Sequence, residues 1–459
     1  MRISRIVIGR TEFNSVRQYI FTMDGLENGA VAVCGYSGDT ASDFQVYVRK
    51  VLTPSPEEYV ARTKYHLEIS PSFYNRALDA CGPKLSLLVM HSHGAGLTTR
   101  YSSSDDYGEQ RLFTTFEKLL PNRPLSSLLF TPTGIRGRGW LNGQFIDVNQ
   151  LSIVGTTMST DVALSNRKVK TSLSRGEFSR QIGAFGGGIQ RLIVVSRVAI
   201  VGLGGTGSAT AEQLVRLGVR DFLLVDPDVF EVSNITRMFG SQRTDAQSLP
   251  YKTEIVARNL RLIAPDAKVE QLHESIVSQR NLLRLRDRTV VFSCTDTDIS
   301  RASLNRYAYQ YLTPVIDMGM RMVVRDGGTT DAGGRVSLIV PGDGCLWCSH
   351  HLNSERIRVD SLPPDEVRRL RGEGYIEGAQ SGVPSVISVN TTLASLAVTM
   401  FLSLLTGLSE VPRTATEQLY DVKDGTVFKS TPVPNTKCPV CGEGGVLGLG
   451  DTQPVVAYE

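Results

Sequence analysis

Two patterns of apolar and polar positions divide the chain. From about residue 3 to residue 154, short apolar runs of strand length mix with helical stretches, which predicts a mixed arrangement of short strands and helices. One run, Leu85-Ser-Leu-Leu-Val-Met90, leads straight into His91, and another follows Glu27 in Glu27-Asn-Gly-Ala-Val-Ala-Val33. Residues 155–188 are rich in Ser, Thr, Gly, Lys and Arg and read as a linker and lead-in. From Arg197-Val-Ala-Ile-Val-Gly202 onward, strand-like runs at 198–201, 222–225, 289–292 and 315–317 are separated by helical stretches. That alternation predicts a parallel sheet covered by helices. The longest apolar stretch, 386–405, carries Ser388, Asn390, Thr391, Thr392, Ser395, Thr399 and Ser403, which suit a helix buried in protein better than one in lipid.

At 459 residues the chain exceeds the roughly 250–300 at which a single core stops growing, so two domains are expected. With 41% hydrophobic and 21% charged residues the composition is that of a globular protein. Lys plus Arg at 49 against Asp plus Glu at 46 leaves +3, too balanced for a nucleic-acid or anionic-membrane surface. The basic run Arg284, Arg286 and Arg288 reads as a solvated helix face. The N-terminus has no apolar core followed by a small-residue cleavage site, so a cytoplasmic protein is expected. The seven cysteines include two Cys-x-x-Cys pairs, and in a reducing compartment such pairs hold metal or do redox work.

His91-Ser-His93 ends an apolar strand, and the period of two turns both imidazoles to one face, close enough to share an ion. Downstream, Ser102-Ser-Ser-Asp105-Asp106 supplies a carboxylate as third ligand. Three protein ligands and a water compose a catalytic zinc site rather than a structural one, and Glu27 can take the water's proton. At these residues the first 150 or so positions resemble the JAMM (JAB/MPN) metallopeptidases, with a distant Glu, His-Ser/Thr-His, a spacer and Ser-x-x-Asp. The resemblance implies an N-terminal mixed α+β JAB/MPN domain with His91, His93 and Asp105 as zinc ligands. It also implies Glu27 as general acid/base and Ser102 as support for the tetrahedral intermediate. This sequence departs from the pattern in having Gly94 after the second His and a longer spacer, which keeps Asp106 as a rival to Asp105.

Gly202-Leu-Gly204-Gly205-Thr-Gly207 follows a strand and opens a helix, so backbone N–H groups and the helix dipole face a bound phosphate. Asp226, at the end of the next strand, fits the acid that holds a ribose hydroxyl. A nicotinamide-dependent oxidoreductase shares this much. The rest separates the two readings: Asp226-Pro-Asp228, Ser233-Asn234-Ile-Thr-Arg237, Lys252 and Cys294-Thr-Asp296 bring cations and carboxylates that hydride transfer does not need. Attack of a carboxylate on an α-phosphate does need them, to neutralise charge on the phosphate oxygens.

From Phe178-Ser-Arg180-Gln181 to about residue 407 this set resembles the ThiF/MoeB and ubiquitin-activating adenylation domains, with a Rossmann-like α/β fold. The resemblance implies that Asp226 binds the ribose of ATP, that Asn234, Arg237 and Lys252 contact phosphates, and that Asp296 holds magnesium. Asp228 is a further carboxylate near the nucleotide. Arg180 becomes an arginine finger reaching a partner subunit's ATP, which implies a homodimer. Cys345-Leu-Trp-Cys348 and Cys438-Pro-Val-Cys441 compose a four-sulfur structural zinc site, with a dithiol redox pair as the alternative.

The division expected is 1–154 peptidase, 155–192 linker and lead-in, and 193–459 adenylyltransferase. The expected partner is a ubiquitin-like or sulfur-carrier protein with a C-terminal glycine, with a conjugating enzyme as a further partner and no nucleic acid or membrane. Segment 349–384 holds no cysteine, so the acyl-adenylate is expected to pass directly to an external nucleophile rather than to a thioester on this chain. Cys34 and Cys81 belong to the peptidase part, and Cys294, at a strand end beside Asp296, reads as a small buried residue.

Overall fold

A computed structural model describes residues 2–22, 24–38, 43–94, 100–163, 176–325, 328–373 and 384–456. The chain forms two compact units, one of residues 1–169, 310–312 and 446–454, the other of 170–309, 313–445 and 455–459. Beyond residue 154 the first unit takes in a later strand, β11 below, residues 310–312 and the glycine-rich residues 446–454.

The first unit begins β1 (Ile3–Gly9), α1 (Arg10–Ile20), β2 (Gly29–Ser37), β3 (Phe44–Leu52), β4 (Tyr59–Arg62), β5 (Leu67–Ile69) and α2 (Pro71–Cys81). It continues β6 (Ser86–Ser92), α3 (Ser103–Leu119), β7 (Leu125–Thr131), β8 (Gly134–Leu141), β9 (Gln144–Asp147), β10 (Gln150–Val154) and β11 (Ser159–Ala163). Nine strands form one mixed sheet in the order β11-β10-β1-β3-β2-β6-β7-β8-β9. Side chains alternate across it. Ala30, Ala32, Cys34, Leu88 and Met90 join the core that includes Phe13, Val16 and Ile20 of α1. Val31, Val33, Leu87 and Val89 join Phe73 and Ala77 of α2 and Phe113 and Phe116 of α3. His91 has the parity of Leu87 and Val89, so the strand period turns it to the α3 side. The late segment is tied in by Gly35 N–H to Gly448 O at 2.9 Å, Asp451 N–H to Tyr36 O at 2.8 Å and Tyr311 OH to Asp451 Oδ1 at 2.7 Å.

The second unit runs α4 (Ser179–Val195), β12 (Arg197–Val201), α5 (Gly205–Leu217), β13 (Asp221–Val225), α6 (Asp245–Ser248), α7 (Lys252–Ile263), β14 (Lys268–Leu272), α8 (Gln279–Leu282) and β15 (Val290–Ser293). It goes on with α9 (Asp298–Gln310), β16 (Val315–Arg325), β17 (Gly328–Ile339), α10 (Ser354–Asp360), α11 (Pro364–Gly372), α12 (Ile387–Thr406), β18 (Glu417–Asp421) and β19 (Thr426–Ser430). Its sheet has the order β14-β13-β12-β15-β16-β17-β18-β19, with β14 to β16 parallel and β17 to β19 added antiparallel. The chain proceeds from β12 outward to β13 and β14, then returns to the other side of β12 with β15. Strand order reverses there, opening a crevice at the carboxyl ends of β12 and β15.

All four expected strands are present, and the one begun at 315 runs much further, to Arg325. The apolar stretch at 386–405 is α12, long and apolar enough to cross a membrane; Leu393, Ala397, Phe401 and Leu404 are buried and the helix packs on α5, β16 and β17. One reading fails. Arg288 is not on a solvated helix face but 4% exposed, its guanidinium 2.7 Å from Asp221 and 3.3 Å from Glu270. A strand-edge carboxylate pair on β13 and β14 gives it the partners a buried charge requires. Within the expected linker, β11 and α4 are ordered elements and residues 164–175 lie outside the described residues.

Candidate functional site

In the first unit the sheet and α3 bring His91, His93 and Asp105 together. Gly29 of β2 pairs with His91 of β6, so Glu27, two residues before, lies at the same strand ends. Ser102 is the N-cap of α3: its Oγ accepts from Asp105 N–H at 3.1 Å and donates to Asp105 Oδ2 at 2.7 Å, while its own N–H donates to Oδ2 at 2.6 Å. The cap aims Asp105 across the histidines. Its Oδ1 is 3.3 Å from His91 Nε2 and its Oδ2 is 3.2 Å from His93 Nε2. Ligands about 2.0–2.1 Å from a tetrahedral ion lie about 3.3 Å apart, so these spacings fit zinc. One donor atom from each residue lies within 4.8 Å of the others. Asp106 turns away to pair with Arg138, which leaves Asp105 as the carboxylate of the cluster.

Burial works to raise the Asp105 carboxyl, but hydrogen bonds from His91 and His93, the electrostatic pull of His91 and the Ser102 N–H outweigh it and hold the group well below the carboxylate range. Glu27 is 6% exposed, its backbone fixed by N–H to Thr63 O at 2.9 Å. Burial raises its carboxyl above the ordinary value, opposed by His93 and His91. A carboxyl tuned upward beside a metal-ligand set suits a proton carrier. Sequence reasoning missed three supporting residues. Glu109, one turn after Asp105 on α3, is buried beneath the cluster and accepts from Ser127 Oγ at 2.9 Å and Arg138 Nε at 2.8 Å. A glutamate on an amphipathic helix carries no signal that its face is turned inward.

In the second unit the crevice holds the glycine loop. Gly202 has φ +88°, and a Cβ there would stand 2.6 Å from Cys294 O; at Gly207 a Cβ would collide with the Gly202 carbonyl. Only glycine admits this turn. Gly204 caps α5, Gly205 begins it, and the N–H groups of that first turn are free of helical partners, as at every helix start. Asp226, 4% exposed at the end of β13, accepts from Leu203 N–H at 2.6 Å through Oδ2 and from Asp228 N–H at 2.9 Å through Oδ1. Burial raises its carboxyl, with Lys252 pulling the other way. Lys252 Nζ pairs with Asp228 Oδ2 at 2.7 Å. Asn234 is buried with Oδ1 accepting Glu231 N–H at 3.0 Å, and Arg237 is half-buried, donating to Ser233 O at 2.9 Å. Asp296 is exposed just past β15, whose last residue, Ser293, pairs with Val201 at the end of β12. Arg180 is exposed on the first turn of α4.

The ThiF family profile matches residues 178–440 of this chain. The chain belongs to the ThiF family. Over 255 residues it is 28% identical to the ubiquitin-like modifier-activating enzyme 5 of Drosophila virilis, covering 52% of this chain and 57% of that one. Over 271 residues it is 27% identical to the sulfur carrier protein ThiS adenylyltransferase of Bacillus subtilis (strain 168), covering 59% and 70%. The match thus spans little more than half the length of the first of these relatives. A crystal structure of E. coli MccB with ATP superposes with a TM-score of 0.45 at 20% identity, covering 58% of this chain and 74% of that one.

The ThiF unit also gathers the four late cysteines. Cys345 Sγ is 3.6 Å from Cys438 Sγ and Cys348 Sγ is 3.3 Å from Cys441 Sγ, with all four sulfurs within 4.8 Å of one another. None is in a disulfide. Sulfurs about 2.3 Å from one ion sit roughly 3.8 Å apart, so the quartet fits a closed structural zinc site. A hydrogen bond from Cys441 holds the Cys345 thiol down to about 5, while the same bond pushes Cys441 up and burial raises Cys438.

Proposed function

We propose that this chain acts twice on the tail of a small protein ending in glycine: the ThiF unit adenylates the terminal carboxylate with ATP, and the first unit is a JAMM-type zinc peptidase that frees that terminus. The observation that carries the adenylation reading is the convergence of the glycine loop, Asp226 and Asp296 on the carboxyl ends of β13, β12 and β15. The partner's carboxylate oxygen attacks the α-phosphorus, the bond to the bridging oxygen breaks, and pyrophosphate leaves with that electron pair. Asp226 orients the ribose, the loop N–H groups with Asn234, Arg237 and Lys252 hold phosphate oxygens, and Lys252 exchanges Asp228 for the nucleotide. Asp296 would hold magnesium, which supplies charge neutralisation on the phosphates. Arg180 of a second copy would add a further cation in a homodimer. This use of cations and carboxylates is what separates the reading from nicotinamide chemistry.

In the first unit His91, His93 and Asp105 would hold zinc, which when bound supplies a Lewis acid and an acidified water. Glu27 takes the water's proton and returns it to the leaving amine, and Ser102 aims Asp105 and would turn its hydroxyl from that carboxylate to support the tetrahedral intermediate. The names of the relatives favour ubiquitin-like modifiers as partner class, and the 70% coverage of the Bacillus ThiS adenylyltransferase favours sulfur-carrier activation as a second reading with the same chemistry. A small ubiquitin-like protein carrying a C-terminal extension after its glycine tests the coupling. The wild-type chain should trim it and then form AMP-linked product, whereas the trimmed protein alone should be adenylated by a His91→Ala variant. Adenylation of the extended protein without trimming would overturn the coupled reading.

A further inference from the structure

We propose that Glu109 is the positioning residue of the zinc ligand His91, resting on the metal-site reading above. The carboxylate of Glu109 is used unevenly. Oε2 receives both Ser127 Oγ at 2.9 Å and Arg138 Nε at 2.8 Å, whereas Oε1 is buried without a hydrogen-bond partner. That bare oxygen faces Nδ1 of His91 at 3.9 Å, while Nε2 of the same ring faces Asp105. A buried acceptor left unpaired calls for a donor, and the ring nitrogen is the group beside it.

The surrounding residues fix which oxygen is spare. Arg138, from β8, lies with its guanidinium carbon 3.7 Å from the Tyr101 ring centroid and 4.0 Å from that of Phe145, and also pairs with Asp106. Ser127 comes from the adjacent strand β7, and Tyr101 OH is 3.1 Å from its Oγ. Clamped from two strands, Oε2 cannot turn away, so Oε1 stays aimed at His91. When Nε2 ligates the metal, Nδ1 carries the proton and its contact with Oε1 closes to a hydrogen bond. The carboxylate thereby selects the tautomer whose Nε2 lone pair is available and raises its basicity.

Glu109→Gln tests this with little change of volume. Arg138 and Ser127 are both donors, so they hold the amide oxygen and turn its NH2 toward Nδ1, which favours the tautomer protonated on Nε2. Zinc titration of the full chain against a chromophoric chelator is the readout, with His91→Ala marking the open site. Wild type should hold one zinc more than His91→Ala; Glu109→Gln should bind that zinc about 10–100-fold more weakly, with the four-cysteine zinc and adenylation unchanged. The cobalt(II) spectrum of the open site should shift in parallel. Unchanged zinc affinity and cobalt spectrum in a Glu109→Gln variant with lowered metal-free stability would reduce Glu109 to a packing partner of Arg138 and overturn the proposal. Equal zinc in wild type and His91→Ala would remove the metal site itself. Should Glu109→Gln not fold, Ser127→Ala decides: a severalfold loss of zinc affinity supports the tethered carboxylate, and no loss overturns it.

Discussion

Asp226 Oδ2 accepts the backbone N–H of Leu203 at 2.6 Å, so one buried carboxylate ties the glycine loop to the end of the neighbouring strand. Its Oδ1 takes Asp228 N–H at 2.9 Å. The same side chain that is assigned to the ribose therefore also sets the shape of the phosphate loop.

Asp226→Asn leaves one acceptor for two backbone donors, and a buried donor without a partner costs about 1–3 kcal/mol. The variant should unfold at lower urea by that amount and bind ATP more weakly. Wild-type urea midpoint with weakened ATP binding would confine Asp226 to the ligand; full ATP affinity would remove it from the site.

Glu27→Gln should retain the open-site zinc and lose peptide cleavage by about 10²–10⁴-fold, because an amide cannot accept the water's proton. Glu27 is buried beside the histidines but outside the ligand cluster. Loss of zinc in this variant, read by metal analysis, would make it a ligand instead.

The four-cysteine site should bind zinc more tightly as pH rises. Cys345 is held down to about 5, so it is a thiolate through neutrality, and below that value its protonation opposes the metal. Cys441 and Cys438 are pushed up, by the bond to Cys345 and by burial respectively, and zinc must displace their protons. Lowered and raised groups thus act in the same direction. Zinc competition at a series of pH values should show affinity climbing from about 5 past neutrality, with protons released on binding; a flat profile would contradict the thiol assignment.

Much of this was readable because the chemistry sits where simple periods end. A run of apolar residues into His91, and another into Gly202, mark strand ends, and strand ends are where sheets carry their sites. Parity along β6 gave the facing of the histidines, whereas the role of Ser102 as the N-cap of α3 appears only in the fold. What escaped is set by tertiary packing. Glu109 and Arg288 look like surface charges because no local pattern announces a buried partner on another strand. β17 carries Gly333, Gly334 and Arg335 where a strand signal would need apolar residues; Arg335 is buried against Asp317 at 2.7 Å. Residues 446–454 have no period, and their place along β2 depends on Gly448 and Gly450 at φ +61° and +55°.

Arg180 acting in trans predicts complementation between inactive chains. A mixture of Arg180→Ala and Asp296→Ala chains would form dimers in which one site has both residues intact, so random mixing should restore about a quarter of wild-type adenylation. Arg180 is exposed and therefore free to reach another copy. No recovery on mixing, with each homodimer folded, would place both residues on one chain's site or remove Arg180 from it.

The central claim is carboxylate activation in the ThiF unit, and ATP–pyrophosphate exchange measures it most directly. With a small ubiquitin-like protein ending in glycine, wild-type chain should incorporate labelled pyrophosphate into ATP. Deleting the terminal glycine of that protein, or Asp296→Ala in the chain, should abolish exchange. Exchange that persists in Asp296→Ala, or that proceeds equally without the terminal glycine, would contradict the account.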